Sequence, residues 1–237
     1  MKLSIIIPAL NEQEYIFQLL KAIRKQDFKD YEIIVADAAS NDKTIKIAQE
    51  FGCKITEGGL PALGRNNGAK IAKGDLFLFI DADNKIPNDK FLSELIEKFE
   101  KRKLEVASFP ISPNGIKLDK FFYWLYNLWV KITQRFLPHA SGVVLVSREI
   151  HQKIGGFDEE IKLAEDHEYA RRAGKIGKFG FIEIEPILFS SRRFELEGRF
   201  KAYLTYVLAG FYILFFGPIK SDIFKYRFIN SLRNKMS

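Results

Sequence analysis
The chain has 237 residues and a net charge of +7, enough length to bury a full core in one domain. Its one cysteine, Cys53, excludes an internal disulfide and suits a reducing compartment, and His139, His151 and His167 show no zinc spacing with it. The start, Met1-Lys2-Leu3 and a run stopped by Pro8, is too short for a signal-peptide core, so the expected location is the cytoplasm or the cytoplasmic face of the cell membrane.

Residues 3–7 predict a strand that Pro8-Ala9-Leu10-Asn11-Glu12 closes. Asn11 and Glu14 have the spacing of a capping box, and Ile16, Leu19, Leu20 and Ile23 form the apolar stripe of a helix. A second strand, residues 32–36, ends at Asp37, and a helical stretch after Ser40-Asn41-Asp42 closes near Gly52. Asp37 could cap that helix or accept a hydrogen bond from a base. Gly64-Arg65-Asn66-Asn67-Gly68 follows, and the plain alternative to a ligand-binding Arg65 is a surface arginine in a glycine-rich loop.

Gly74-Asp75 then leads into Leu76-Phe77-Leu78-Phe79-Ile80, a buried strand, and Asp81-Ala82-Asp83. Two carboxylates at the C-terminal edge of such a strand suit Mg²⁺ or Mn²⁺, and through that ion a diphosphate. The plain alternative is a loop that opens with two solvated acids. Glu165-Asp166 precede a helix-like run ending near Gly174, where an acid also suits the helix dipole. Residues 179–184 look strand-like, and Ser190-Ser191-Arg192-Arg193-Phe194 follow them. Paired guanidiniums suit a diphosphate; a solvated basic loop is the other reading. Strands alternating with helices, with acids at the strand ends, argue an α/β protein with a parallel sheet.

In this order, the Pro8-x-x-Asn11-Glu12 strand end, Asp37-x-x-Ser40-x-Asp42, Arg65-Asn66-x-Gly68 and Gly74-Asp75 leading to Asp81-x-Asp83 resemble the inverting GT-A glycosyltransferases of family 2. Gly155-Gly156-Phe157-Asp158-Glu159 and Glu165-Asp166 resemble the acceptor half of that family. The resemblance implies a GT-A, Rossmann-like fold over residues 1–198: a mostly parallel sheet flanked by helices, with 1–100 the nucleotide-sugar half and 101–198 the acceptor half. It implies a UDP- or GDP-linked donor held by Pro8, Ala9, Asn11, Glu12, Asp37, Arg65 and Asp81, and Mn²⁺ or Mg²⁺ on Asp81 and Asp83. Asp166 would be the general base, with Glu165 beside it, and Arg192 and Arg193 would meet the substrate. The second Asp of many members is Ala38 here, which implies a missing nucleobase-side contact, and the absence of the Gln-x-x-Arg-Trp box of processive synthases implies that no long polymer is built.

Two other functions fit part of this pattern. A sugar-phosphate nucleotidyltransferase should carry a glycine-rich basic loop after the first strand, where this chain has Ala9-Leu10-Asn11-Glu12 and no glycine until Gly52. A non-catalytic membrane-associated nucleotide or carbohydrate binder would keep the same ligand chemistry. P-loop and dinucleotide-binding patterns are absent.

Residues 199–237 hold seven basic side chains against one acid, Asp222, a balance of +6. A nucleic-acid protein would spread its basic groups over a groove; here they bracket an uncharged stretch from Ala202 to Phe216. As a helix that stretch is about 22 Å long against a hydrocarbon core of about 30 Å, and Gly217-Pro218 ends it. An interfacial membrane helix, a true span, and a core or dimer helix all fit. Residues 121–130, between Lys120 and Lys131, are a second aromatic stretch that suits a core helix or a headgroup boundary. Two such stretches point to a membrane surface and a polyprenyl lipid acceptor, with a glycan acceptor or a homodimer as alternatives.

Overall fold
The computed structural model describes residues 1–224; Lys225, Arg227, Arg233 and Lys235 of the basic tail lie outside the described residues. The chain runs β1 (Leu3–Ala9), α1 (Gln13–Lys25), β2 (Tyr31–Asp37), α2 (Thr44–Glu50), β3 (Lys54–Glu57), α3 (Pro61–Ile71), β4 (Leu76–Ile80) and β5 (Asn84–Lys85). It continues through α4 (Phe91–Lys101), β6 (Val106–Ser108), β7 (Ile111–Asn114), α5 (Lys117–Thr133), β8 (Val143–Ser147) and α6 (Arg148–Lys153). Last come α7 (Glu165–Ile176), β9 (Phe179–Phe181), β10 (Ile187–Ser190), α8 (Arg192–Glu197) and α9 (Arg199–Phe216). The strand-like stretch 179–184 thus keeps only its first three residues as strand.

Seven strands form one sheet in the order β3-β2-β1-β4-β8-β6-β9. Only β8 runs against its neighbours β4 and β6. The remaining pairings are parallel, giving the Rossmann-like, mostly parallel α/β sheet that the sequence implied. Strand side chains alternate between two covered faces. Ile5, Ile7, Leu78 and Ile80 pack with Ile16, Leu19, Leu20 and Ile23 of α1 and with α4. Ile6, Ile34, Phe77 and Phe79 pack on the other side with α3, α6 and α7.

Two local expectations change. The 64–68 stretch is part of helix α3, not a loop. Its glycines serve close approach: a Cβ on Gly68 would lie 2.4 Å from Ile6 Cγ2, and one on Gly64 3.4 Å from Pro8 Cβ. The capping box does not form either. Asn11 has a left-handed backbone (φ 52) ahead of α1, and the N-cap residue Glu12 makes no side-chain cap bond. Caps come from across the sheet edge instead: Glu12 N donates to Thr44 Oγ1 (2.8 Å) and Gln13 N to Asp42 Oδ2 (3.1 Å).

Among the described residues no helix is long and apolar enough to cross a membrane, which removes the spanning reading of α9. One side of α9 is packed: Ala209 and Ile213 form a small core with Leu163 and Ile219. Lys162 N donates to Ile219 O (2.9 Å), so the chain beyond α9 pairs with the segment leading into α7.

His151 lies among Phe77, Phe79, Phe157 and Tyr169, with Nδ1 2.8 Å from the Tyr169 hydroxyl. Burial, and then Arg172, push its pKa down to about 4. The folded state therefore binds this proton less readily than the unfolded chain, so the stabilisation is complete above about pH 6.5 and is lost as pH falls toward 4. Urea unfolding should show a loss of about 3 kcal/mol at most across that window. His151→Asn should flatten this part of the profile.

Candidate active site
The sheet switches direction between β1 and β4: the chain leaves β1 toward β2 and β3 and returns to β4 on the other side. Loops at the carboxyl ends of such strands diverge and open a crevice. Ala9 pairs in register with Asp37, so Pro8 to Glu12, Asp37 and Asp81 share this edge.

Asp37 and Asn11 stitch two loops together. Asp37 is buried, with Oδ2 accepting from Ser40 N (2.8 Å) and Oδ1 from Ser40 Oγ (2.6 Å). Asn11 N donates to Ser40 Oγ (2.8 Å), and Asn11 Oδ1 accepts from Asn41 N (2.7 Å). Asp37 thus closes a turn at Ser40 and does not cap α2, whose N-cap is Lys43. Pro8 and buried Ala9 belong to β1, the wall of the crevice.

Arg65 is almost wholly buried and joins the two halves of the site. It donates to Asp81 Oδ1 (2.7 Å) and Glu165 Oε1 (2.5 Å), and its guanidinium stands 5.3 Å from the Phe157 ring centre. Burial works against its charge, but Asp81, Glu165 and Asp166 outweigh that and raise its pKa. The Glu165 carboxyl is raised, first by burial, with Arg65 opposing and Asp166 adding to the shift. Asp166, in the first turn of α7, accepts from Gly142 N and from His167 N (2.9 Å for the latter).

On the other side Arg192 donates both NH groups to Glu12, at 2.9 Å for Nη1 to Oε2, and lies 3.4 Å from Asp83 Oδ2. Its guanidinium stands 4.5 Å from the Tyr15 ring centre. Arg193 pairs with Glu197 (2.7 Å) along α8. Burial raises Asp83 to about 7, with Arg192 opposing and Asp81 and Glu12 adding to the effect. Five carboxylates (Glu12, Asp81, Asp83, Glu165 and Asp166) thus face two guanidiniums.

That excess of negative oxygen fits a divalent cation. No group of three or more His, Cys, Asp or Glu among the described residues is placed to hold one unaided. Asp81 and Asp83 match instead the pattern in which Mg²⁺ takes one or two carboxylates and completes its shell with substrate phosphates and water.

The sequence reading missed several residues here. Gly142 (φ 69) gives its N–H to Asp166, and a Cβ on it would lie 3.0 Å from Asp81 Oδ2, so it spaces the two carboxylates. Asn66 Nδ2 donates to Phe157 O (2.9 Å) and its Oδ1 accepts from Phe157 N (2.8 Å), fixing the Gly155–Glu159 motif against α3. His139 stacks on His167 with ring centres 3.7 Å apart and meets Trp129 edge-on at 5.0 Å. Burial, then His167 and Arg171, keep the His139 pKa well below its usual value. Serine-glycine after His139-Ala140 was the available signal for Gly142; Tyr15, three residues beyond Glu12, was that for the Arg192 platform.

The model for glycosyl transferase family 2 matches residues 4–157, more than half of the chain. The chain belongs to glycosyl transferase family 2. The nucleotidyltransferase alternative gives way to that assignment. Poly(ribitol-phosphate) beta-N-acetylglucosaminyltransferase TarS of Staphylococcus aureus is 28% identical over 190 residues, 73% of this chain and 32% of the relative. The GalNAc(5)-diNAcBac-PP-undecaprenol beta-1,3-glucosyltransferase of Campylobacter jejuni is 34% identical over 108 residues, 41% of this chain and 34% of the relative. The chain therefore spans about a third of the length of these relatives. The crystal structure of S. aureus TarS 1-349 in complex with UDP shares the fold at TM-score 0.64 and 22% identity, covering 80% of this chain and 60% of that one. The mannosyltransferase PcManGT of Pyrobaculum calidifontis, in complex with GDP-Man and Mn²⁺, does so at 0.63 and 20%, covering 80% and 56%.

Arg192→Ala would remove the guanidinium that Glu12 and Asp83 share. Stability at pH 7 should fall by about 3 kcal/mol in urea unfolding. Arg192→Lys should recover only part of this, because a lysine cannot reproduce the two-pronged bond to Glu12.

Proposed function
We propose that this chain moves a glycosyl group from a UDP- or GDP-linked sugar to a hydroxyl of a lipid-linked acceptor, with inversion at the anomeric carbon. One observation carries the reading: Arg65 holds the Asp81 edge, suited to a diphosphate, against Glu165-Asp166, suited to an acceptor, within a single crevice.

Asp81 and Asp83 would hold Mn²⁺ or Mg²⁺, which supplies positive charge to the departing diphosphate oxygen. Arg192 supports the same region, because its buried Nε–H has no partner among the described residues and suits a phosphate oxygen. Asp166 takes the proton of the acceptor hydroxyl. The freed oxygen pair bonds to the anomeric carbon as the bond from that carbon to the diphosphate breaks, and that electron pair leaves on the nucleoside diphosphate. The Gly142 N–H orients the Asp166 carboxylate for this step, and Arg65 holds Glu165 beside it. In this reading residues 1–100 serve the donor and 101–198 the acceptor, at the cytoplasmic face of the membrane. The UDP of TarS, the GDP-Man and Mn²⁺ of PcManGT, and the PP-undecaprenol in the name of the Campylobacter relative support the substrate classes.

Asp83→Ala should abolish the Mn²⁺-dependent thermal shift produced by UDP or GDP and leave the fold intact. An unchanged metal-dependent shift would refute the metal assignment.

Asp166→Asn keeps the shape and removes the base, so transfer should drop by about two to four powers of ten with donor binding unchanged. Near wild-type transfer would show that another group is the base. Failure of the wild-type chain to cleave any UDP- or GDP-sugar with Mn²⁺ would leave a binder rather than an enzyme.

A further inference from the structure
We propose that α5 and α9 together form a face that docks on an anionic lipid bilayer. Of the 23 large apolar side chains exposed among the described residues, 17 lie in residues 116–136 and 200–216. Monomer surfaces scatter such residues; this concentration marks a contact surface. The two stretches are one surface. Phe122 meets Tyr203 at 5.2 Å between ring centres, and Asp119, buried under α5, accepts from Tyr203 Oη (2.9 Å) and Arg199 Nε (3.2 Å).

The charge around this face chooses the occupant. Lys117, Lys120, Arg135 and Lys201 are exposed along it, and Asp119, the only acid on either helix, is buried. A second copy seated on the same face would bring these cations against themselves. Anionic headgroups would pair with them while the aromatic side chains enter the acyl boundary. The packed side of α9 holds Leu163, two residues before Glu165, so docking would also set the height of Asp166 above the bilayer. The proposal rests on the reading of a lipid-linked acceptor for its purpose, but its test needs no turnover.

Both tryptophans of the chain, Trp124 and Trp129, lie on α5, so selectively excited tryptophan emission reports this helix. The full chain should sediment with phosphatidylcholine vesicles containing phosphatidylglycerol. Its emission should shift to the blue and be quenched by brominated acyl chains. Phe121→Glu with Leu125→Glu, and separately Leu204→Glu with Phe211→Glu, should weaken vesicle binding by about tenfold or more while the UDP–Mn²⁺ thermal shift stays unchanged. If the α9 pair disturbs folding, the α5 pair decides. Lys117→Gln with Lys120→Gln should remove the preference for phosphatidylglycerol. Wild-type chain that stays in the supernatant with unshifted emission would overturn the proposal. So would a vesicle-indifferent dimer that Phe121→Glu with Leu125→Glu converts to a monomer. Loss of nucleotide binding by the wild type would instead strike the proposed function and leave the surface standing.

Discussion
The buried guanidinium of Arg65 sets the spacing on which the rest of the crevice depends. Its side chain is 3% exposed, and a charge that dry is destabilising by several kcal/mol unless opposite charge meets it on each side. Asp81, from the end of β4, and Glu165, from the start of α7, supply that charge. Both can reach it only because α3 lies hard against the sheet, where Gly64 and Gly68 leave room for Pro8 and Ile6. The next residue, Asn66, then grips Phe157 by its backbone. One helical turn thus fixes a strand edge, a glycine-rich turn and a helix N-terminus relative to one another.

That arrangement explains which parts were legible in the sequence. β1, β2 and β4 are apolar runs bounded by acids or proline, and burial on both faces of a parallel sheet produces that pattern. The apolar stripe of α1 was readable for the same reason. Asn11 was misread because its partner, Asn41, lies 30 residues away on another loop, and no local spacing encodes such a bond. Glycine content suggested a loop for residues 64–68, yet the glycines there meet a packing demand inside a helix.

The tail shows the same limit in another form. Its composition announced an apolar helix, but only the spacing of Ala202, Ala209 and Ile213 marks the side that packs. Buried residues recurring seven and four positions apart lie on one face of a helix. The larger aromatic residues between them drew attention away from that stripe. As a result, α9 carries the contact that packs on Leu163, just ahead of the acidic pair on α7.

Electrostatics then separates the two sides of the crevice. Around Asp166 the compensation comes from backbone: Gly142 and His167 N–H groups, at a helix N-terminus, stabilise an anion without adding a mobile cation. Around Asp83 it comes first from a side chain, Arg192, shared with Glu12, and burial leaves the Asp83 carboxyl with a pKa of about 7. A diphosphate entering there brings more negative charge to a place where the Arg192 guanidinium is already shared between two carboxylates. Like charges at such range in a partly dry cleft repel strongly. Under the proposed function the donor side therefore requires a cation to enter with the nucleotide, whereas the acceptor side is held ready by the fold alone.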